Sequence, residues 1–228
     1  AYQQARVFAK ERLQGTRRDG SRIPIIEHPD VRRMLMVMRS ANEAMRALAF
    51  VAAAEVDRAR YAQDAGAKAK HAGRVELLTP IVKGWLTELS QEMTYLNIQI
   101  HGGMGFIEET GAAQHYRDAR ILTIYEGTTG IQALDLIGRK TLSDQGAALN
   151  LLLADMQATA EQIRAANALP ASIMDGLESA LARGIMAREW LLQSAPTDTN
   201  LAGSVSVNFL MLFGYLCGGW LMAKAAGI

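Results

Sequence analysis

The chain has 228 residues, of which half are hydrophobic and 21% are charged, so it can bury a substantial core. Its formal net charge of +1 argues against a nucleic-acid binder, because such proteins present a strongly basic face. Cys217 is the only cysteine, which excludes an intrachain disulfide and fits a reducing compartment. The chain starts without Met, in the middle of an amphipathic pattern, and we therefore expect a fragment of a longer protein.

The spacing of apolar residues predicts helices and few or no strands. The predicted helices cover residues 1–15, 30–64, 80–101, 109–118, 130–142, 145–166, 170–194 and 203–226. We predict an all-α fold, with an antiparallel up-and-down helical bundle over residues 1–142 and a helical C-terminal extension over residues 143–228.

Helix boundaries are predicted from capping and breaking residues. Asp30 suits an N-cap after a loop over residues 16–29, and Pro80 suits the first turn of a helix. The polar segment 66–73 is predicted as a break before that helix. The glycines that follow residue 101 are expected to end it.

Basic residues concentrate near the first loop. They are Arg17, Arg18, Arg22, Arg32 and Arg33. We favour a solvated or salt-bridged surface, and the alternative is a patch that contacts phosphate.

Residues 199–223 form a stretch of 25 residues without a charge. This length is sufficient to cross a bilayer, and Gly214 and Gly218 have the spacing of close helix contacts in membranes. We favour a buried helix because the stretch also contains polar residues and further glycines. Contact with a membrane surface through residues 203–223 and a true span are the alternatives.

Two features between residues 99 and 132 could carry chemistry. Glu126 follows an apolar run and precedes a Gly-Thr turn, so it could be a general base in a dry pocket, or only a carboxylate that favours a helix N-terminus. Gly102, Gly103 and Gly105 let the backbone approach a ligand, or simply form a turn, and they lack the dinucleotide fingerprint. Gln99 could bind a planar amide ring or cap a neighbour.

Other chemistries lack sequence support. No metal site is expected, because the histidines have no zinc-type spacing. No serine lies in the strained turn that a Ser-His-Asp hydrolase requires. The Arg117-Asp118 pair is expected to be a structural ion pair.

Four segments of the chain form a distinctive set: AKER at residues 9–12, QIHGGMGF at 99–106, YRDARI at 116–121 and IYEGTTGIQ at 124–132. Together these segments resemble the C-terminal domain of the acyl-CoA dehydrogenase family. The resemblance covers residues 1–142. The loop IPIIEHPDVRRML and the helical extension are more similar to the larger branch of the family, which includes 3-methylmercaptopropionyl-CoA dehydrogenase.

The resemblance implies an α,β-dehydrogenation of an acyl-CoA thioester. Glu126 would be the catalytic base that removes the α-proton, while a hydride passes to flavin N5. The backbone N–H of Glu126 would help to polarise the thioester carbonyl. Gly127 would lie against the acyl-CoA and Tyr125 near the flavin and substrate.

The resemblance also implies FAD as the cofactor. Arg12 would reach the diphosphate, typically across a subunit interface, and Gln99, Gly102 and Gly103 would contact the adenosine half of a neighbouring subunit's FAD. Thr128 would contact the cofactor beside the base. An electron-transfer flavoprotein would be the acceptor, and the enzyme would be a homodimer or homotetramer in the bacterial cytoplasm, or in the mitochondrial matrix of a eukaryote. Leu13-Gln14 and His28-Pro29 depart from the pattern of the family.

Three rival functions share this fold. One is a DNA-associated, alkylation-response relative, which would use the arginines near the first loop. Another is an acyl-CoA oxidase that is reoxidised by oxygen. The third is an assembly module without activity of its own.

Overall fold

The computed structural model describes residues 1–227, and of Thr199 it describes the backbone alone. The helices within these residues are α1 (Tyr2–Glu11), α2 (Pro29–Tyr61), α3 (Ala65–His101), α4 (Gly103–Phe106), α5 (Ala112–Ile121), α6 (Thr129–Ile137), α7 (Ala147–Ala165), α8 (Ala171–Ser194) and α9 (Thr199–Gly227). Short 3-10 turns cover Ile25–Glu27 and Glu108–Thr110, and a π-helical turn covers Gly138–Leu142. The prediction of an all-α fold is confirmed.

The described residues form two compact units. The first unit contains Ala1–Glu43 and Thr87–Tyr125, and the second contains Ala44–Leu86 and the chain from Glu126 onwards. The long helices α2 and α3 each contribute residues to both units. The division into a bundle over residues 1–142 and an extension over residues 143–228 stays a prediction.

In the first unit, α1 ends earlier than the sequence indicated. It stops at Glu11, and a small antiparallel hairpin of β1 (Leu13–Thr16) and β2 (Arg22–Pro24) follows where a helix end and a loop were expected. Gly15 has a φ of +89°, a conformation that no helix contains. The helix therefore ends before this glycine, and the chain turns back through Gly20, which has a φ of +85°.

The predicted boundaries of the long helices were partly wrong. Helix α2 begins at Pro29, so Asp30 lies in its first turn and pairs with Arg33 at 2.7 Å instead of capping it. Helix α3 begins at Ala65 and includes both the predicted break and Pro80. The Asp64 carboxylate accepts a bond from the Ala67 N–H at 2.6 Å, and alanine and lysine are strong helix formers, so the helix starts early.

Helix α9 belongs to the core of the second unit. It packs on α6, α7 and α8, and Leu210, Phe213 and Cys217 are fully buried. A Cβ atom on Gly214 or Gly218 would collide with the ring of Trp85 on α3. The two glycines thus allow this tryptophan to pack against the helix. Burial raises the pKa of the Cys217 thiol to about 12, which makes this side chain a poor nucleophile.

By length and composition alone, the part of α9 from Asn200 to Gly227 could cross a membrane. Half of its most apolar stretch is buried inside the protein, and core helices of soluble proteins have the same composition. Its packing in the second unit agrees with the favoured interpretation of a buried helix. Membrane contact through residues 203–223 stays a prediction.

Two charge predictions were tested by the ion pairs. Arg17 pairs with Glu27 at 2.5 Å, as the salt-bridged interpretation of the basic cluster expects. Arg117 binds Glu108 through both guanidinium nitrogens, at 2.8 and 2.7 Å. The predicted Arg117-Asp118 ion pair was therefore wrong in its partner, because neighbours on a helix point in different directions.

Candidate functional site

The turn between α5 and α6 has an unusual backbone. Glu126 has a φ of +54° and Gly127 a φ of +91°, so two successive residues adopt conformations that side chains disfavour. For a residue other than glycine, a left-handed conformation costs about 1–3 kcal/mol and persists only where the surroundings enforce it. Strain of this kind is typical of functional sites, and here it falls on the predicted base.

Thr128 closes the turn and starts α6. Its hydroxyl oxygen accepts a bond from the Ile131 N–H at 3.4 Å, and its carbonyl accepts one from the Gln132 N–H at 3.0 Å. The threonine is thus an N-cap, which fixes where the helix begins relative to Glu126.

Two side chains bind the carbonyl groups of the turn. The Lys83 Nζ atom on α3 donates to the Gly127 carbonyl oxygen at 2.7 Å, and the Gln132 Nε2 atom on α6 donates to the Glu126 carbonyl oxygen at 3.4 Å. A Cβ atom on Gly127 would lie only 2.8 Å from the same Gln132 nitrogen. Backbone conformation and space both therefore favour glycine at this position.

The Glu126 side chain is exposed, so the described residues do not themselves form the dry pocket that was one of the two alternatives for this residue. The apolar residues before it do not bury it, because Ile121, Ile124 and Tyr125 are themselves 46–49% exposed. No backbone hydrogen bond among the described residues uses the N–H of Glu126 or of Gly127. The turn thus presents a carboxylate and two backbone donors to its surroundings.

A second candidate site lies in the first unit. Arg12, Gln99, Gly102 and Gly103, which were predicted separately as cofactor contacts, line one pocket of about 620 Å³. Arg12 follows α1 in an extended conformation, and no ion pair among the described residues engages it. The pocket therefore has a cationic side chain and an amide available for a ligand.

Two glycines, Gly102 and Gly103, form part of the lining of this pocket. Gly102 ends α3 with a φ of +60°, and a Cβ atom on Gly102 or Gly103 would meet no atom within 4 Å. Gly105 differs, because its Cβ would lie 2.5 Å from the Ile98 carbonyl oxygen. The first two glycines thus keep backbone accessible, and the third allows the chain to pack.

His101 also lines this pocket and connects it to the rest of the first unit. Its side chain is buried, its ring stacks on Phe8 at 4.3 Å between centroids, and its Nδ1 atom lies 2.7 Å from the Asn97 carbonyl oxygen. Asn97 in turn donates to the Gln4 side-chain oxygen at 2.9 Å. This buried polar network joins α1 to the end of α3 and holds Arg12 and Gln99 on one surface.

The sequence analysis missed several residues of these sites. His28 and Gln14 line the pocket, and the His28 Nε2 atom lies 2.9 Å from the Gln14 carbonyl oxygen. Their departure from the family pattern was the available signal. No local sequence pattern pointed to Lys83, because 44 residues separate it from its partner Gly127.

The predicted residues thus form two groups. Arg12, Gln99, Gly102 and Gly103 lie together in the first unit, and Glu126, Gly127 and Thr128 form one turn in the second. Tyr125 directly precedes that turn and is 46% exposed. The roles of all eight residues stay predictions.

Comparison with known families identifies the class of protein. Residues 1–142 match the family described as acyl-CoA dehydrogenase, C-terminal domain, and residues 152–228 match a second family described as acetyl-CoA dehydrogenase C-terminal like. The chain therefore belongs to the acyl-CoA dehydrogenase family.

Individual relatives refine this result. The 3-methylmercaptopropionyl-CoA dehydrogenase of Ruegeria pomeroyi is 46% identical over 99% of this chain and 39% of its own length. The broad-specificity linear acyl-CoA dehydrogenase FadE5 of Mycobacterium tuberculosis is 35% identical over 100% of this chain and 39% of its own length. The predicted similarity to the larger branch of the family is confirmed. The chain spans about two fifths of the length of these relatives.

A solved structure supports the fold. Caenorhabditis elegans ACDH-11 in complex with C11-CoA has a TM-score of 0.73, with 21% identity over 98% of this chain and 36% of that one. At this identity the likeness concerns the fold alone.

Proposed function

We propose that this chain is the C-terminal part of an FAD-dependent acyl-CoA dehydrogenase, in which Glu126 removes the α-proton of an acyl-CoA thioester. The observation that carries the proposal is the strained, exposed Glu126 in a turn that is held by Lys83, Thr128 and Gln132. Such a turn holds the backbone from which the carboxylate projects and leaves the carboxylate accessible to a substrate.

The α-proton of a thioester is a weak acid, so a carboxylate alone is an insufficient base. Negative charge must be stabilised on the thioester oxygen as the proton leaves. The backbone N–H of Glu126 has no backbone acceptor among the described residues and is a suitable donor for that oxygen. One residue would thus both take the proton and stabilise the charge that develops.

Once a substrate covers the turn, water is displaced from the carboxylate. Burial disfavours the charged form and makes a carboxylate a stronger base. Gly127, which has no side chain, leaves space for the acyl group beside the base, and Tyr125 would form part of the same surface. These roles rest on the resemblance and on the geometry of the turn.

We expect the pocket in the first unit to take the diphosphate and adenosine half of a neighbouring subunit's FAD. Arg12 offers a guanidinium group for a diphosphate, Gln99 offers an amide for an adenine or ribose, and Gly102 and Gly103 keep the backbone accessible. Thr128 accepts a bond from the helix and retains its own hydrogen to donate to a cofactor. Bound FAD would accept the hydride from the β-carbon.

The wider assignments follow from the family. We propose acyl-CoA as substrate, an electron-transfer flavoprotein as electron acceptor, a homodimer or homotetramer, and the cytoplasm of a bacterium or the mitochondrial matrix as location. Acyl chain length and branching stay open. The ion pairs of Arg17 and Arg33 reduce the free positive charge that a DNA-associated relative would need.

The test uses the full-length protein with its flavin. It is mixed anaerobically with butanoyl-, octanoyl-, hexadecanoyl- and 3-methylmercaptopropionyl-CoA while flavin absorbance is followed. We expect at least one thioester to reduce the wild-type flavin, Glu126→Gln to prevent reduction, and the exposed control Glu109→Gln to behave as wild type. Reduction by Glu126→Gln at the wild-type rate would contradict the proposal. Rapid peroxide formation in air would identify an oxidase instead.

A further inference from the structure

The Glu126 turn is held by a side chain from a distant helix. Lys83 lies on α3 and is half-buried, and its ammonium group donates to the Gly127 carbonyl oxygen at 2.7 Å. A hydrogen bond from a charged donor is stronger than one between neutral groups. The contact is therefore a strong polar attachment of this turn to a helix other than α6.

The attachment acts on the peptide groups that follow Glu126. Lys83 binds the carbonyl of Gly127, and Gln132 binds the carbonyl of Glu126, so the orientations of two successive peptide planes are fixed. The Gln132 bond restrains the ψ of Glu126 and the φ of Gly127, and the Lys83 bond restrains the ψ of Gly127, so the backbone is held on the carboxyl side of Glu126. The Lys83 bond is shorter by 0.7 Å and carries the charge (2.7 against 3.4 Å).

We propose that Lys83 is a positioning residue for the dehydrogenation, which acts by holding the strained Glu126–Gly127 turn in place through the Gly127 carbonyl. The inference rests on the proposed function of Glu126 and adds a residue outside the matching segments of the sequence. Without the ammonium group, the strained turn would relax toward ordinary backbone conformations, and the carboxylate would spend less time in the direction that it needs for proton transfer.

The effect should appear in the proton-transfer step. A small displacement of a reacting group costs about ten- to a hundredfold in rate, whereas binding of a cofactor elsewhere is unaffected. Removal of the α-proton would then limit flavin reduction more strongly, and the isotope effect from an α-deuterated substrate would rise. A merely structural lysine would change stability without changing this isotope effect.

The experiment compares Lys83→Met and Lys83→Arg with wild type in the full-length flavoprotein. The substrate is whichever of the four named acyl-CoAs reduces the wild-type flavin fastest, used with normal and with α-deuterated acyl groups. We expect Lys83→Met to slow flavin reduction about ten- to a hundredfold, with a larger isotope effect and unchanged flavin content. Lys83→Arg, which keeps a charged donor, should recover most of the rate.

Lys140→Met is the matched control. Lys140 is also half-buried in the second unit, and it makes one ion pair, with Glu76 at 2.8 Å. Its replacement removes a comparable lysine contact away from the turn, so rate and isotope effect should stay at wild-type values.

Three outcomes would overturn the inference. If Lys83→Met reduces its flavin at the wild-type rate while Glu126→Gln is inactive, Lys83 has no positioning role and the proposed function stands. If both Lys83 variants lose rate together with melting temperature and the isotope effect is unchanged, the lysine is only structural. If Glu126→Gln remains active, the proposed function fails first and the role of Lys83 fails with it.

Discussion

The two candidate sites are built in different ways. The Glu126 turn in the second unit has a strained backbone, which a helix cap and donors from two helices hold in place. The pocket around Arg12 and Gln99 in the first unit is a concave surface, and both of these side chains are exposed. The difference matches the proposed tasks: a base must be held in one direction before the reaction, whereas a cofactor can order flexible side chains when it binds.

The largest expected effect comes from Gly127→Ala in the full-length flavoprotein. The new Cβ would meet the Gln132 nitrogen at 2.8 Å, and the φ of +91° would be strained for any side chain. We expect flavin reduction by acyl-CoA to slow by about a hundredfold, since an alanine strains this backbone conformation and displaces the Gln132 amide that binds the Glu126 carbonyl. Rapid-mixing measurements of flavin absorbance would give this rate.

Gly130→Ala is the control for that substitution. Gly130 lies three residues further along, in α6, with an ordinary helical backbone, and its Cβ would meet only the Thr128 hydroxyl, at 3.9 Å. We expect nearly normal flavin reduction. Equal losses in both variants would show that the chemistry does not depend on the conformation of the turn.

A second substitution tests the packing inside the second unit. Gly214→Ala would place a methyl group inside the ring of Trp85, which is 2% exposed and has no room to move outward. Overpacking of this kind costs about 1–3 kcal/mol, so the melting temperature of the protein should fall by several degrees. Gly219→Ala, where a Cβ would meet nothing within 4 Å, should melt as wild type.

The sequence was sufficient to predict the helices and to find the motif. It was not sufficient to predict the contacts that hold the Glu126 turn. Apolar spacing located α7, α8 and α9 to within a few residues, because an amphipathic pattern reflects the buried face directly. The predicted start of α3 at residue 80 was too late in the chain. Pro80 lies inside the helix, because the residues before it are strong helix formers.

The turn itself shows where sequence reasoning ends. Glu126 and Gly127 were found through a linear motif, whereas the positive φ of Glu126 and the donor Lys83 depend on a contact across 44 residues. Local patterns contain no information on such a contact. For the same reason the sequence left open whether Glu126 lies in a dry pocket, since the burial of a side chain depends on what packs over it.

The smallest expected effect concerns the pocket and completes the comparison of the two sites. Arg12→Leu removes the cationic group proposed for the diphosphate, and we expect FAD to bind about tenfold more weakly, corresponding to ~1.4 kcal/mol. Titration of the full-length apoprotein with FAD at two salt concentrations measures this, and the wild-type affinity should fall more steeply with salt than that of the variant. Lys10→Leu, which removes an exposed charge from the last turn of α1, the helix that Arg12 follows, is the control. Because the pocket is open and Arg12 has no ion pair to lose within the described residues, the substitution should leave the melting temperature of the apoprotein unchanged. A loss of stability equal to that of Gly214→Ala would instead show that Arg12 is part of the packing, and the distinction between a preformed turn and an open pocket would no longer hold.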